Sequence, residues 1–180
     1  MKHLLCLLML VCAAAAHESP IDHVDRRLAF TVSGDTLELR YRFRQTQRAA
    51  LLQLRAMDTN DNGRISAAEQ ESFFKQTGER LAGRLKLKAA DAEQVFSLTG
   101  TVVLRPDFSQ EFHLTVPLNG AVTVTFHDEF SGQHPGSVII EQPPVEGRKV
   151  LLQIKQSPTM KASRGHGGMT VLEIKILRNE

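Results

Sequence analysis

The chain has 180 residues, with 22 Lys and Arg against 20 Asp and Glu and a formal net charge of +2 at pH 7. So even a balance leaves no basic footprint for nucleic acid. Its two cysteines are Cys6 and Cys12, so the chain beyond them is without disulfides and without thiolate chemistry.

Lys2 and His3 precede an apolar run from Leu4 to Val11, and Ala13 to Ala16 follow. A basic start, a short apolar core and an Ala-x-Ala ending describe a secretory signal peptide, with cleavage expected after Ala16. The run is too short to span a bilayer as a helix. Cleavage would remove both cysteines and Lys2, taking the formal charge from +2 to +1. What remains, 17–180, is expected to be one soluble domain with a real core, exported to the periplasm or secreted.

Leu28, Phe30 and Val32 alternate with Arg27, Ala29 and Thr31. Gly34-Asp35 turns the chain, and Leu37, Leu39, Tyr41 and Phe43 alternate with Glu38, Arg40, Arg42 and Arg44. This period of two predicts a hairpin with one wet face. The Arg40-Arg42-Arg44 row is either an anion-binding strip or a solvated strand face, and the solvated face is the expectation.

Thr46 is the expected N-cap of a helix over Gln47 to Met57, with Ala50, Leu54 and Met57 on one face. Then comes Asp58-Thr59-Asn60-Asp61-Asn62-Gly63-Arg64-Ile65-Ser66-Ala67-Ala68-Glu69. Oxygen-bearing side chains stand at the first, third and fifth places of this stretch, as Asp58, Asn60 and Asn62. Gly63 falls where the backbone must turn through a conformation cheap only for glycine. Arg64 offers its backbone carbonyl, Ser66 a hydroxyl, and Glu69 is long enough to bind back with both oxygens. A polar turn would explain the Asp, Asn and Gly, but not the Glu six residues after the Gly. Ser66-Ala67-Ala68-Glu69 is also a capping box, opening a second helix whose stripe of Phe73, Phe74, Thr77, Leu81 and Leu85 runs to about Arg84.

The stretch from Asp58 to Glu69 resembles an EF-hand. The resemblance implies Ca2+ as the bound ion, held by Asp58, Asn60, Asn62, Arg64, Ser66 and Glu69. Only Asp58 and Glu69 of these carry charge, so an affinity on the order of micromolar to millimolar is expected. That suits a compartment rich in calcium. The chain has no second hand, so Ile65, which pairs with a neighbouring loop in a paired hand, needs another cover. A segment of the sheet domain is the expected cover, because the following strands lie close in sequence, and the protein is expected to be a monomer. A second molecule is the alternative.

Beyond Arg84 the helical period stops. Val95 to Leu104, Glu111 to Leu118, Ala121 to Phe126, Ser137 to Ile140, Lys149 to Lys155 and Thr170 to Leu177 are predicted strands. Arg105-Pro106-Asp107, Asn119-Gly120, Pro143-Pro144 and Glu146-Gly147 are the turns, with Asn119-Gly120 a tight-hairpin signal. The expected fold is α+β: a mainly antiparallel β-sandwich or partly open barrel, with one helix-loop-helix insertion at about 46–84.

The order of parts carries a second resemblance. An Ala16-His17 cleavage junction, a strand ending Leu39-Arg40-Tyr41-Arg42, a lone EF-hand and then Phe126-His127-Asp128-Glu129-Phe130-Ser131-Gly132 resemble the periplasmic domains associated with bacterial nickel/cobalt exporters and related metal permeases. That resemblance implies a partner in the membrane, a metal permease, and a role in handling nickel, cobalt or copper as the alternative to structural calcium binding. The histidines bear on the same question. His17 would become the N-terminus, where amine and imidazole chelate copper or nickel. His127, Asp128 and His134 form a candidate second metal set, against the reading of a polar turn with surface histidines. His166 lies between glycines near Met160 and Met169, in a segment expected to be a loop.

No catalytic set stands out, and an enzyme is not expected. There is no Gly-x-Ser-x-Gly elbow, and Gly165-His166-Gly167-Gly168 lacks the strand-to-helix setting of a phosphate loop.

Overall fold

The computed structural model describes residues 23–89, 92–100, 103–105, 107–131, 136–141, 150–156 and 169–178. The expected signal peptide, His17, His134, His166 and the Pro143-Pro144 and Glu146-Gly147 turns lie outside them. Among the described residues no helix is long and apolar enough to cross a membrane.

Alternation builds the first hairpin as predicted. β1 (Val24–Ser33) pairs antiparallel with β2 (Thr36–Gln45), with Ser33 opposite Thr36 across Gly34-Asp35. Gly34 sits at φ 59°, the left-handed region in which it costs least. The inward positions Leu28, Phe30, Leu37, Leu39, Tyr41 and Phe43 are all buried.

Two helices interrupt the strands. α1 (Gln47–Met57) opens on Thr46, whose hydroxyl accepts the Ala49 N–H, and α2 (Ala67–Ala82) opens on Ser66. Among the described residues nine more strands follow: β3 (Leu85–Ala89), β4 (Ala92–Val95), β5 (Ser97–Leu98), β6 (Val103–Leu104), β7 (Gln110–Pro117), β8 (Thr123–Asp128), β9 (Val138–Glu141), β10 (Val150–Gln156) and β11 (Thr170–Arg178). They form two sheets. One has the order β5-β7-β2-β1-β9, with β6 also on β7; the other has the order β10-β11-β8-β3-β4. Among the described residues every pairing is antiparallel except β1 with β9. The architecture is α+β and compatible with a β-sandwich.

The inner faces meet in one core. Phe30 of β1 stands edge to face with Phe126 of β8, centroids 5.2 Å apart, and Phe43 stacks on Phe112 of β7 at 5.5 Å. α2 lies against the β5 and β7 edge. Gly78 permits this: an added Cβ would come within 2.7 Å of Leu98 Cδ2 and 3.0 Å of Phe112 Cδ1.

Three expectations need correction. The helical stripe does not continue to Leu85, because the helix ends at Ala82 and Leu85 opens β3 as a fully buried strand residue. The span Val95 to Leu104 is not one strand: it divides among the end of β4, β5 and β6, and Gly100 at φ 96° lies between the last two. Asn119-Gly120 is a turn but not a hairpin. Both residues have positive φ, as a tight turn demands, yet β7 and β8 belong to different sheets. The Gly120 N–H is taken instead by the Asp35 carboxylate at 2.9 Å, which fastens this crossing to the β1–β2 turn.

A polar group also crosses between the sheets. Tyr41 of β2 donates its hydroxyl to Asp128 Oδ2 of β8 at 2.9 Å, with both residues fully buried. Asp128 Oδ1 accepts the Ser131 N–H at 2.9 Å, and Ser131 Oγ accepts the Thr170 N–H at 2.8 Å. Tyr41→Phe takes one donor from a buried carboxylate, so it is expected to lower stability by about 1–3 kcal/mol. Urea unfolding of the two proteins measures this; equal stability would mean that the hydroxyl carries none of the tie.

Candidate calcium loop

α1 and α2 are joined by nine residues that stand almost wholly in solvent. The loop closes on its own side chains. Asp58 Oδ1 accepts the Asn62 N–H at 3.1 Å, and Oδ2 accepts the Gly63 N–H at 2.7 Å. Asn60 Oδ1 also accepts from Asn62 N at 3.1 Å, and Asn62 Oδ1 accepts the Arg64 N–H at 2.8 Å. Asp61 at φ 54° and Gly63 at φ 75° make the left-handed bends that allow this winding.

Glu69 closes the ring from the far end. Its Oε1 accepts from Thr59 N at 3.0 Å and Thr59 Oγ1 at 2.9 Å, ten residues back. Its Oε2 accepts from Ser66 N at 3.0 Å and Ser66 Oγ at 2.8 Å, while Ser66 Oγ accepts the Glu69 N–H at 3.3 Å. The capping box read from the sequence is therefore complete. The Ser66 N–H and hydroxyl, with Thr59 adding, hold the Glu69 carboxyl down at about 2.

The side chains of Asp58, Asn60, Asn62, Ser66 and Glu69 and the Arg64 carbonyl are oxygen donors on one short loop. An all-oxygen set with two carboxylates fits a hard cation such as Ca2+. Among the described residues no three His, Cys, Asp or Glu come together at metal spacing, a count that leaves out the amide, hydroxyl and carbonyl oxygens calcium sites use. Thr59 was not foreseen as a partner of Glu69, since the second place of such a loop is not a ligand place.

Ile65 departs from expectation. It remains 39% exposed, so the sheet domain does not bury it. Leu51 and Leu52 of α1 are exposed as well.

Of the second candidate set, only His127 and Asp128 lie among the described residues, and these two diverge. Consecutive residues on β8 point to opposite faces, so Asp128 faces the core and His127 faces outward. Asp128 is taken up by Tyr41 and Ser131. Burial pushes its carboxyl above the ordinary range, against the pull of the Arg26 charge and of its hydrogen bonds. Arg26 is the residue missed. It is 1% exposed, its guanidinium carbon 5.9 Å from the Phe130 ring centroid. Its parity with Val24, Leu28 and Phe30 was the available signal for an inward side chain.

Comparison with protein-family models, with curated proteins and with solved structures finds no match.

The hydrogen bonds of ionised Glu69 make its contribution to stability pH-dependent. Its folded pKa lies below the unfolded value, so the contribution is full above about 4.5 and is lost as pH falls towards about 2. Glu69→Gln in calcium-free buffer should therefore melt below the parent at pH 6, with the gap closing by pH 2. A gap that stays constant over that range would show that the carboxylate charge is not the stabilising feature.

Proposed function

We propose that the chain is an exported calcium-binding module in which one EF-hand takes Ca2+ mainly for structure. Asp58, Asn60, Asn62, Ser66 and Glu69 would hold the ion with side-chain oxygens and Arg64 with its carbonyl. The observation that carries this reading is the closure of Glu69 over Thr59. It sets the second of the two ligand carboxylates across the loop that Asp58 begins. A bound ion then stabilises the folded form by mass action. With two charged ligands the affinity belongs to the weaker end of such loops, which suits a calcium-rich compartment outside the cytosol.

The experiment is thermal melting with and without calcium. Millimolar calcium should raise the melting temperature, and Asp58→Ala or Glu69→Gln should abolish the rise. An unchanged curve at millimolar calcium would sink the proposal. Calorimetry with nickel, cobalt, copper and zinc separates it from the alternative, a periplasmic accessory to a metal permease. Tight binding lost on His17→Ala, or on His127→Ala with His134→Ala, would favour that alternative.

A further inference from the structure

On the outer face of the first sheet, a concave patch of about 150 Å³ is lined by Asp25, Arg27, Arg42, Arg44, Asp107 and Ser109, among others. Its size, below the ~300 Å³ of a drug-sized pocket, suits one small charged group.

Arg27 of β1 and Arg42 of β2 are direct cross-strand partners. Like charges placed so are destabilising unless an anion stands between them. One carboxylate oxygen does: Glu141 Oε1 lies 3.5 Å from Arg27 and 3.7 Å from Arg42. Both distances exceed the 2.7–3.2 Å of a hydrogen bond, and Glu141 is 40% exposed. The third guanidinium, Arg44, stands 3.6 Å from Asp25 Oδ2. All three ion pairs are long and open to water, so each is weak.

The two carboxylates lining the patch are engaged by the rim. Asp25 Oδ1 accepts from Ser137 Oγ at 2.7 Å and Ser137 N at 3.3 Å, and it pairs with His23 at 3.2 Å. Asp107 Oδ1 accepts from Ser109 Oγ at 2.6 Å and Ser109 N at 3.1 Å. Between those two rim residues, Phe108 is held at φ 60° and left 43% exposed. A bulky side chain in the left-handed region is an outlier of the kind that gathers at binding sites.

We propose that this patch is a binding site for the carboxylate or phosphate group of a small anion, gripped by Arg27, Arg42 and Arg44, with Glu141 as an internal place-holder that the ligand displaces. Planar guanidinium forks bind both oxyanions through paired N–H donors at shorter range than Glu141 achieves. The inference does not depend on the calcium reading.

The test is titration of isotope-labelled protein, in calcium-free buffer, with inorganic phosphate and separately with acetate, followed by amide chemical shifts. Saturable shifts are expected at residues 25–27, 42–44 and 107–109, and the anion that saturates at lower concentration identifies the source. Arg42→Gln should weaken binding about tenfold or more, as loss of a charged hydrogen-bond donor does. Arg40→Gln, on the same strand but outside the patch, should leave binding unchanged. Glu141→Gln should tighten it about two- to fivefold, the worth of an exposed ion pair. Arg44→Gln, at a side chain 59% exposed, repeats the loss without burden on folding. Failure of both anions to saturate, equal weakening by Arg40→Gln, or no gain from Glu141→Gln would overturn the proposal.

Discussion

A hydroxyl and a carboxylate closed off from solvent tie the two halves of this fold. Tyr41 belongs to the first sheet and Asp128 to the second, and the bond between them runs through the core. Burial of Asp128 is costly unless its oxygens are occupied. Tyr41 occupies one, the Ser131 N–H the other, and Arg26 supplies opposite charge. Because that group must be satisfied at one place, the sheets can meet in one register. The aromatic contacts of Phe30 with Phe126 and of Tyr41 with Phe130 fall around it.

Much of the architecture was legible in the chain because alternation is a local property. The period of two over Leu28 to Phe43 predicts both strands, and the buried Leu28, Phe30, Leu37, Leu39, Tyr41 and Phe43 follow it, while Ala29 is buried against it. The caps Thr46 and Ser66 mark both helix starts to the residue. Pairing is not local. Asn119-Gly120 has the backbone of a hairpin turn, yet the strands beside it join different sheets, and Asp35 holds the turn from elsewhere. The parallel pairing of β9 with β1 joins residues over a hundred positions apart in the chain, and no short pattern announces it.

The candidate sites divide along the same line. The winding of the loop from Asp58 to Glu69 was legible because its hydrogen-bonding side chains lie within one dozen residues and its bends require glycine or a tolerant aspartate. The grouping of His127 with Asp128 fails for a reason equally local: neighbours on a strand diverge. Arg26 carries a charge like Arg40, Arg42 and Arg44, yet its parity with Val24, Leu28 and Phe30 puts it inside. The arginine patch involves β1, β2, β9 and the Arg105–Ser109 turn, so only the folded arrangement assembles it.

Gly78 sits nine residues beyond Glu69 on α2, about 13 Å along the axis. It is the point at which the helix bears on Leu98 and Phe112. Asp58 reaches the loop from α1, which has its own anchor, Gln53 bonded to Gln110 at 2.5 Å. The two carboxylates of the loop thus hang from separate supports. A tilt of about ten degrees at the glycine would swing Glu69 by about 2 Å relative to Asp58. The spacing of the two carboxylates would thus follow how closely α2 seats at a residue with no side chain, far from the loop.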